Sequence, residues 1–231
     1  MSRHIPLGEE RLSRLYRERF AADDRAFKER AWAILCARVF QPLIRTTDTV
    51  VDLGAGHCEF INAIECGRKI AVDLNPEVKR HARDAEFIQT TGTDLSPLDA
   101  GSVNVVFSSN FLEHLPDKQA VLQTLDECHR ILAANGTLIV LMPNIRYLNG
   151  RYWDYFDHHT PLTHYSVVEA LSLSGFEATR VVPRFLPYTV KQRSMPKSIA
   201  LLRLYLRLRF VWPFFGRQML VIARRKRAPQ Y

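Results

Sequence analysis

Between residues 49 and 142 the chain alternates short apolar runs with stretches of helical character. The runs fall at 49–51, 69–72, 86–88, 103–107 and 137–142. Between them lie a helical segment over 57–64 that should end near Gly67, one opened by Pro76, and one over 117–132. In the last, Val121, Leu122, Leu125, Cys128 and Leu132 share a side, and Gly136 is expected to end it. Pro76 suits a helix start, where its missing N–H costs nothing. Strands this apolar are covered on both faces, and strand–helix–strand alternation makes their sheet parallel. The expected fold class is therefore α/β, with helices on both faces.

The pattern continues past the fifth run. Ser166-Val-Val-Glu169 has the spacing of a capping box and predicts a helix that stops at Gly175. Two later apolar runs, 176–182 and 219–223, are joined by a long connection and predict an antiparallel hairpin at the sheet edge. Residues 9–38 are charged and helical in composition, with Leu12, Leu15, Tyr16, Phe20, Phe27 and Trp32 on one loose face. The expected organisation is an N-terminal helical extension over 1–47 and one domain over 48–231, with a basic, apolar insert at about 194–216. A length of 231 residues, 47% of them hydrophobic, is enough for one large domain with its own core.

Charge and cysteines narrow the class. Cys36, Cys58, Cys66 and Cys128 include no Cys-x-x-Cys pair, which argues against zinc on thiolates. The first residues show no apolar signal segment, so a cytoplasmic setting with reduced thiols is the expectation. The net charge of +8 gathers in the N-terminal region and the last forty or so residues. A basic chain can serve nucleic acid, a membrane surface or an anionic substrate.

The stretch Val51-Asp-Leu-Gly-Ala-Gly-His-Cys-Glu59 runs a buried strand into a glycine turn. In open parallel sheets ligands bind past the carboxyl ends of the strands, where the strand order switches. Gly54 and Gly56 let backbone approach a ligand closely. A pyrophosphate needs the following helix end free of negative charge, and Glu59 sits in its first turn. That disfavours a dinucleotide and favours a nucleoside without phosphate. Asp73 closes the second strand, where a carboxylate can accept both ribose hydroxyls. Asp94 follows the third strand and could accept from an adenine amino group, with Leu95 covering the ring. A tight structural turn, a helix cap and a loop aspartate are the plainer roles of these three features.

From residue 49 to 175 the chain resembles the class I S-adenosylmethionine-dependent methyltransferases, and more weakly as far as Ala223. VVDLGAG is similar to the family's first motif, AVDL to the second and GTDL to the adenine-side motif. VVFSSNFLEHL resembles the fourth strand and its loop, HRILAANGTLIVLMPN the helix and fifth strand, and HYSVVEALSLSGF the next helix in glycan and natural-product branches. The resemblance implies a Rossmann-like sheet of seven strands with one antiparallel, and S-adenosylmethionine as cofactor. It implies a cofactor site of Asp52, Gly54, Ala55, Gly56, Asp73, Leu74, Asp94, Leu95, Ser109 and Asn110. Glu59 departs from the family in replacing a third glycine. Some relatives hold a divalent metal with Glu-x-x-Glu-His; here the positions are Asn110, Glu113 and His114, and losing the first carboxylate argues against a metal.

Methyl transfer from a sulfonium is an in-line displacement in which the protein chiefly aligns and dehydrates. A hydroxyl acceptor must also lose a proton, and histidine titrates in the useful range. His114 after the fourth strand, and His158 and His159 after the fifth, are the candidates, with His164 beyond them. Tyr147, Tyr152, Trp153, Tyr155 and Phe156 either wall a substrate or bury a long loop. The acceptor expected is a small molecule or a sugar, with a lipid-linked glycan among the candidates. The absence of an Asn-Pro-Pro-Tyr-like motif makes nucleic acid the weaker reading. Residues 198–216 alternate leucine with arginine like a strand, yet leucine and arginine are good helix formers, and a helix is predicted. Three arginines interrupt it too often for a membrane span, so it would be a lid, a dimer surface or a peripheral membrane contact.

Overall fold

The computed structural model describes residues 25–188 and 198–226. The predicted helical face at Leu12 to Phe20, the start of the insert at 194–197 and the end of the basic tail lie outside those residues. Seven strands form one sheet in the order β3-β2-β1-β4-β5-β7-β6. They are β1 (Thr49–Leu53), β2 (Arg68–Asp73), β3 (Glu86–Gln89), β4 (Val103–Ser109), β5 (Leu132–Pro143), β6 (Phe176–Leu186) and β7 (Gln218–Arg225). The first five pair in parallel. β7 runs antiparallel between β5 and β6. The predicted α/β class, the seven strands and the antiparallel hairpin are all present.

Five α-helices of five residues or more accompany the sheet among the described residues: α1 (Arg25–Leu35), α2 (Glu59–Ala63), α3 (Lys118–Ile131), α4 (His164–Leu173) and α5 (Ile199–Arg207). Strand periodicity sends alternate side chains to opposite faces. On one face Val51, Leu53, Ile70, Val72, Val106 and Val140 meet Val121, Leu125 and Cys128 of α3 and Val167 and Leu171 of α4. On the other, Val50, Ala71, Val105, Phe107 and Ile139 meet Leu35, Phe40, Phe60, Ile61 and Leu206. Phe60 and Phe107 stack there with ring centroids 3.7 Å apart. The segment before β1 is thus built into the core through Cys36 and Phe40, both fully buried.

Three boundaries differ from expectation. α3 ends at Ile131 rather than at Gly136, because Leu132 turns extended and pairs with Val103, so Gly136 lies within β5. The capping box belongs to Thr163 and Ser166, not to Ser166 and Glu169; Thr163 accepts the Ser166 amide at 3.2 Å, and the Ser166 hydroxyl accepts the Thr163 amide at 2.8 Å. α2 starts two residues later than its predicted helix and is only five residues long. Pro76 opens a 3-10 turn capped by Asn75. The insert is helical over α5, with the Ser198 hydroxyl accepting the Leu201 amide.

Candidate active site

The glycine turn closes β1 against β2. Gly54 and Ala55 both donate to the Val72 carbonyl, at 2.9 and 3.1 Å. Gly54, Gly56 and Cys58 then take positive φ values of 73°, 53° and 59°, which reverse the chain into α2. One Asp73 carboxylate oxygen accepts the Gly56 amide at 2.9 Å and the other accepts the Asn75 amide at 2.9 Å. The end of β2 therefore holds the turn that ends β1. Burial pushes the Asp73 pKa up, against the pull of these amides.

Asp52 is buried, and burial raises its pKa well above the ordinary aspartate value, reinforced by Glu59 and Asp73 and opposed by the Ile61 amide. Burial raises Glu59 as well, while Lys28 and Arg25 of α1 and His81 pull it back. Three carboxylates thus gather under the turn. Ala55 is buried and Leu74 is exposed. Asp94 is exposed; its carboxylate accepts the Ser96 amide at 3.1 Å, and the Ser96 hydrogen bonds lower its pKa. Leu95 is fully buried in the core, its amide held by Glu127 at 2.7 Å. Ser109 ends β4, and Asn110 follows with φ 49°, its amide on the Leu141 carbonyl.

Phe111 was not singled out in the sequence. A Cβ on Gly54 would stand 2.6 Å from its ring, and one on Gly92 would stand 2.8 Å from the ring's far end. The ring spans the gap between the glycine turn and the turn after β3, and its place depends on both glycines. The only local signal is an aromatic residue directly after Asn110.

The loop after β4 and the loop after β5 meet beside this turn. The Glu113 carbonyl accepts the amides of His159 and Thr160 at 2.9 and 3.1 Å, and the Thr160 hydroxyl donates to the Leu115 carbonyl at 2.7 Å. His114 Nδ1 lies 2.9 Å from the Asp157 carbonyl and 3.2 Å from its carboxylate. Burial lowers the His114 pKa, but Asp157 and Glu113 outweigh it and hold it above the usual value. His158 Nδ1 lies 2.8 Å from the Tyr152 carbonyl, and its ring meets that of His114 edge-on with centroids 5.0 Å apart. Glu113 is fully buried, and burial pushes its pKa up to about 7 against the pull of His114. His164 lies apart, with Nδ1 accepting from the Asn144 amide group at 2.9 Å. The aromatic residues divide: Tyr152 and Tyr155 bury the loop, while Trp153 and Phe156 are exposed.

The same sheet edge carries a second feature that the sequence did not reveal. Tyr147, Leu148, Asn149, Arg151, Tyr188 and Arg217 line a cleft of about 190 Å³. Burial lowers the Arg217 pKa, helped by Arg184 and Arg151. The Arg184 guanidinium lies over the Tyr147 ring, 4.9 Å from its centroid, while donating to the Gly216 and Phe214 carbonyls.

Comparison with known proteins agrees with this geometry. The methyltransferase-domain family matches residues 51–140, from the glycine turn to β5. No curated protein sequence matches the chain. Among solved structures, the complex of the Haloferax volcanii Trm112 methyltransferase activator with a methyltransferase gives a TM-score of 0.70 at 20% identity, covering 96% of this chain and 99% of that one. A SAM-dependent methyltransferase from Archaeoglobus fulgidus gives 0.63 at 18%, covering 87% and 97%. Geranyl diphosphate C-methyltransferase from Streptomyces coelicolor, solved with Mg2+, geranyl diphosphate and S-adenosyl-L-homocysteine, gives 0.59 at 15%, covering 84% and 76%. The matched methyltransferase domain, residues 51–140, spans the strand ends that carry the glycine turn and Asp73, and the chain carries a methyltransferase domain that takes S-adenosylmethionine as its cofactor.

Proposed function

We propose that the enzyme transfers the methyl group of S-adenosylmethionine to a hydroxyl oxygen of a sugar or small-molecule acceptor that carries an anionic group, as a lipid-linked glycan does through its phosphate. The observation that carries this reading is the cleft of Tyr147, Asn149, Arg151, Tyr188 and Arg217 at the carboxyl edge of the sheet. Tyrosine faces suit a sugar ring, and clustered guanidinium groups suit phosphate or carboxylate. In this reading Asp52, Gly54, Ala55, Gly56, Asp73, Leu74, Asp94, Leu95, Ser109 and Asn110 surround the cofactor. His114, His158 and His159 stand at the acceptor end, in the loops after β4 and β5.

A lipid-linked acceptor also fits the surface of the insert. Leu204, Phe210, Phe214 and Phe215 are more than half exposed, beside exposed Arg203, Arg207 and Arg209. Aromatic and aliphatic side chains flanked by arginines are the composition of a peripheral contact with an anionic membrane. No helix among the described residues is long and apolar enough to cross a membrane.

The test is S-adenosylhomocysteine formation across a panel of free sugars, sugar phosphates and polyprenyl-diphosphate-linked sugars, with the Arg217→Ala and Arg151→Ala variants. The phosphorylated acceptors should react best, and the variants should raise KM for them while leaving S-adenosylmethionine affinity unchanged. Equal turnover of neutral and anionic sugars would refute the role of the cleft. Tight transfer RNA binding with a steep salt dependence would replace the glycan with nucleic acid.

A further inference from the structure

We propose that Glu113, His114 and His158 form a binding site for a divalent first-row transition metal such as zinc or manganese. One ligand-type atom from each of the three lies within 4.8 Å of the others. Two imidazoles and one carboxylate are a donor set for metals of this class, whereas calcium or magnesium would want more oxygens. The metal was not expected from the sequence, because Asn110 stands where a carboxylate would be needed. The third ligand comes instead from His158, on the loop after β5, which sequence spacing does not bring near Glu113.

The hydrogen bonds around the cluster favour metal binding in two ways. A backbone carbonyl can only accept, so the contacts of His114 Nδ1 with the Asp157 carbonyl and of His158 Nδ1 with the Tyr152 carbonyl require an Nδ1–H on both rings. In each neutral ring the lone pair then sits on Nε2, the arrangement in which an outer oxygen fixes a metal-binding histidine. The Asp157 carboxylate, 3.2 Å from His114 Nδ1, adds the carboxylate–histidine pair common in such sites.

Independently of the histidines, Glu113 is fully buried, yet neither of its carboxylate oxygens has a hydrogen-bond partner. Buried polar groups are seldom left so, and a buried carboxylate is normally paired or bound to a metal. The ligands also sit on a fixed frame: the two amides donated to the Glu113 carbonyl and the Thr160–Leu115 bond lock the two loops together. Three protein ligands leave a coordination position open. On the acceptor reading above, which this last step alone rests on, that position takes the acceptor's hydroxyl oxygen.

The experiment uses tag-free full-length protein, stripped with a chelator and dialysed against Zn2+, Mn2+ or Mg2+, with bound metal counted by mass spectrometry and affinity measured by calorimetry. Roughly one zinc or manganese per chain is expected, with Mg2+ held far more weakly. Glu113→Gln and His158→Asn should each weaken binding by more than the roughly 10–100-fold typical of losing an outer-sphere partner. Bound Co2+ should give a visible spectrum that His158→Asn abolishes. Should Glu113→Gln fail to fold by circular dichroism, His158→Asn decides. Substoichiometric zinc and manganese in the parent, parent-like binding by folded variants, or a loss with His159→Asn but not with His158→Asn would overturn the site. Parent protein that binds S-adenosylmethionine but no metal overturns this inference alone. Metal uptake without methyl transfer to any hydroxyl acceptor overturns the acceptor reading alone.

Discussion

One oxygen of the Asp73 carboxylate accepts the Gly56 amide at 2.9 Å, so the acid that ends β2 also shapes the turn that ends β1. Its other oxygen is used by Asn75. A ribose held by Asp73 would share a carboxylate already fixed in place, which removes side-chain ordering from the cost of binding. Asp73→Asn leaves one amide facing an NH2 group. It should lower S-adenosylmethionine affinity about 10-fold or more, equal to about 1.4 kcal/mol. Losing charge-assisted bonds should also lower stability by about 1–3 kcal/mol. Calorimetry and thermal denaturation read the two separately, and unchanged affinity would refute the ribose assignment.

Phe111 makes Gly54 and Gly56 unequal. At Gly54 an added Cβ meets the Phe111 ring at 2.6 Å with φ at 73°, whereas at Gly56 φ is 53° and nothing lies within 4 Å. Gly56→Ala should cost only the left-handed backbone penalty, about 1–2 kcal/mol. Gly54→Ala should cost that plus about 1–3 kcal/mol for the forced shift of the ring. In a double-mutant cycle, Phe111→Ala should relieve the second part in Gly54→Ala and leave Gly56→Ala unaffected. Denaturant unfolding gives all the required differences.

A buried hydroxyl holds the loop after β5. Tyr152 is fully buried, and its hydroxyl donates to the Thr160 carbonyl at 2.5 Å. Tyr152→Phe keeps the ring and strands that carbonyl, so stability should fall by about 1–3 kcal/mol, with faster hydrogen exchange of the His159 and Thr160 amides. Unchanged exchange would mean that the two amide bonds to Glu113 hold the loop unaided.

The sheet could be read in the sequence because each parallel strand is a short apolar run between turn signals, and the runs at 69–72 and 103–107 needed only a residue or two at their ends. The end of α3 could not, because Leu132 leaves the helix to pair with Val103, a contact from outside the local sequence. The glycine turn and Asp73 were legible because both sit at the ends of those runs. Arg151, Arg184 and Arg217 were not, since three separate segments carry them and the hairpin of β6 and β7 brings Arg184 and Arg217 together beside the loop after β5 that carries Arg151. The approach of His158 to Glu113 was not legible for the same reason, because it depends on the His159 and Thr160 amides of one loop bonding the Glu113 carbonyl of another. Local pattern finds elements and their ends, while sites assembled across loops need the topology first.

Acid should loosen α1 from the glycine turn. His57 and His81 lie there with ring centroids 4.9 Å apart. Burial lowers the His57 pKa, helped by Lys28 and Arg25 of α1. Burial lowers His81 as well, helped by Arg25 and His57 and opposed by Glu59 and Glu77. The Arg25 guanidinium reaches His81 Nδ1 at 2.8 Å, and because it can only donate, that ring must be neutral. Both folded pKa values lie below the unfolded value of about 6.5, so the unfolded chain binds more protons in this window and stability rises with pH. The contribution is present above about pH 6.5 and is lost as pH falls through the lowered folded values. Glu59, whose pKa burial raises, acts in the opposite sense, so the informative quantity is the difference between parent and variant. Melting curves from pH 8 to pH 5 should fall less steeply for His57→Gln/His81→Gln than for the parent, and parallel curves would show that these histidines do not govern the contact.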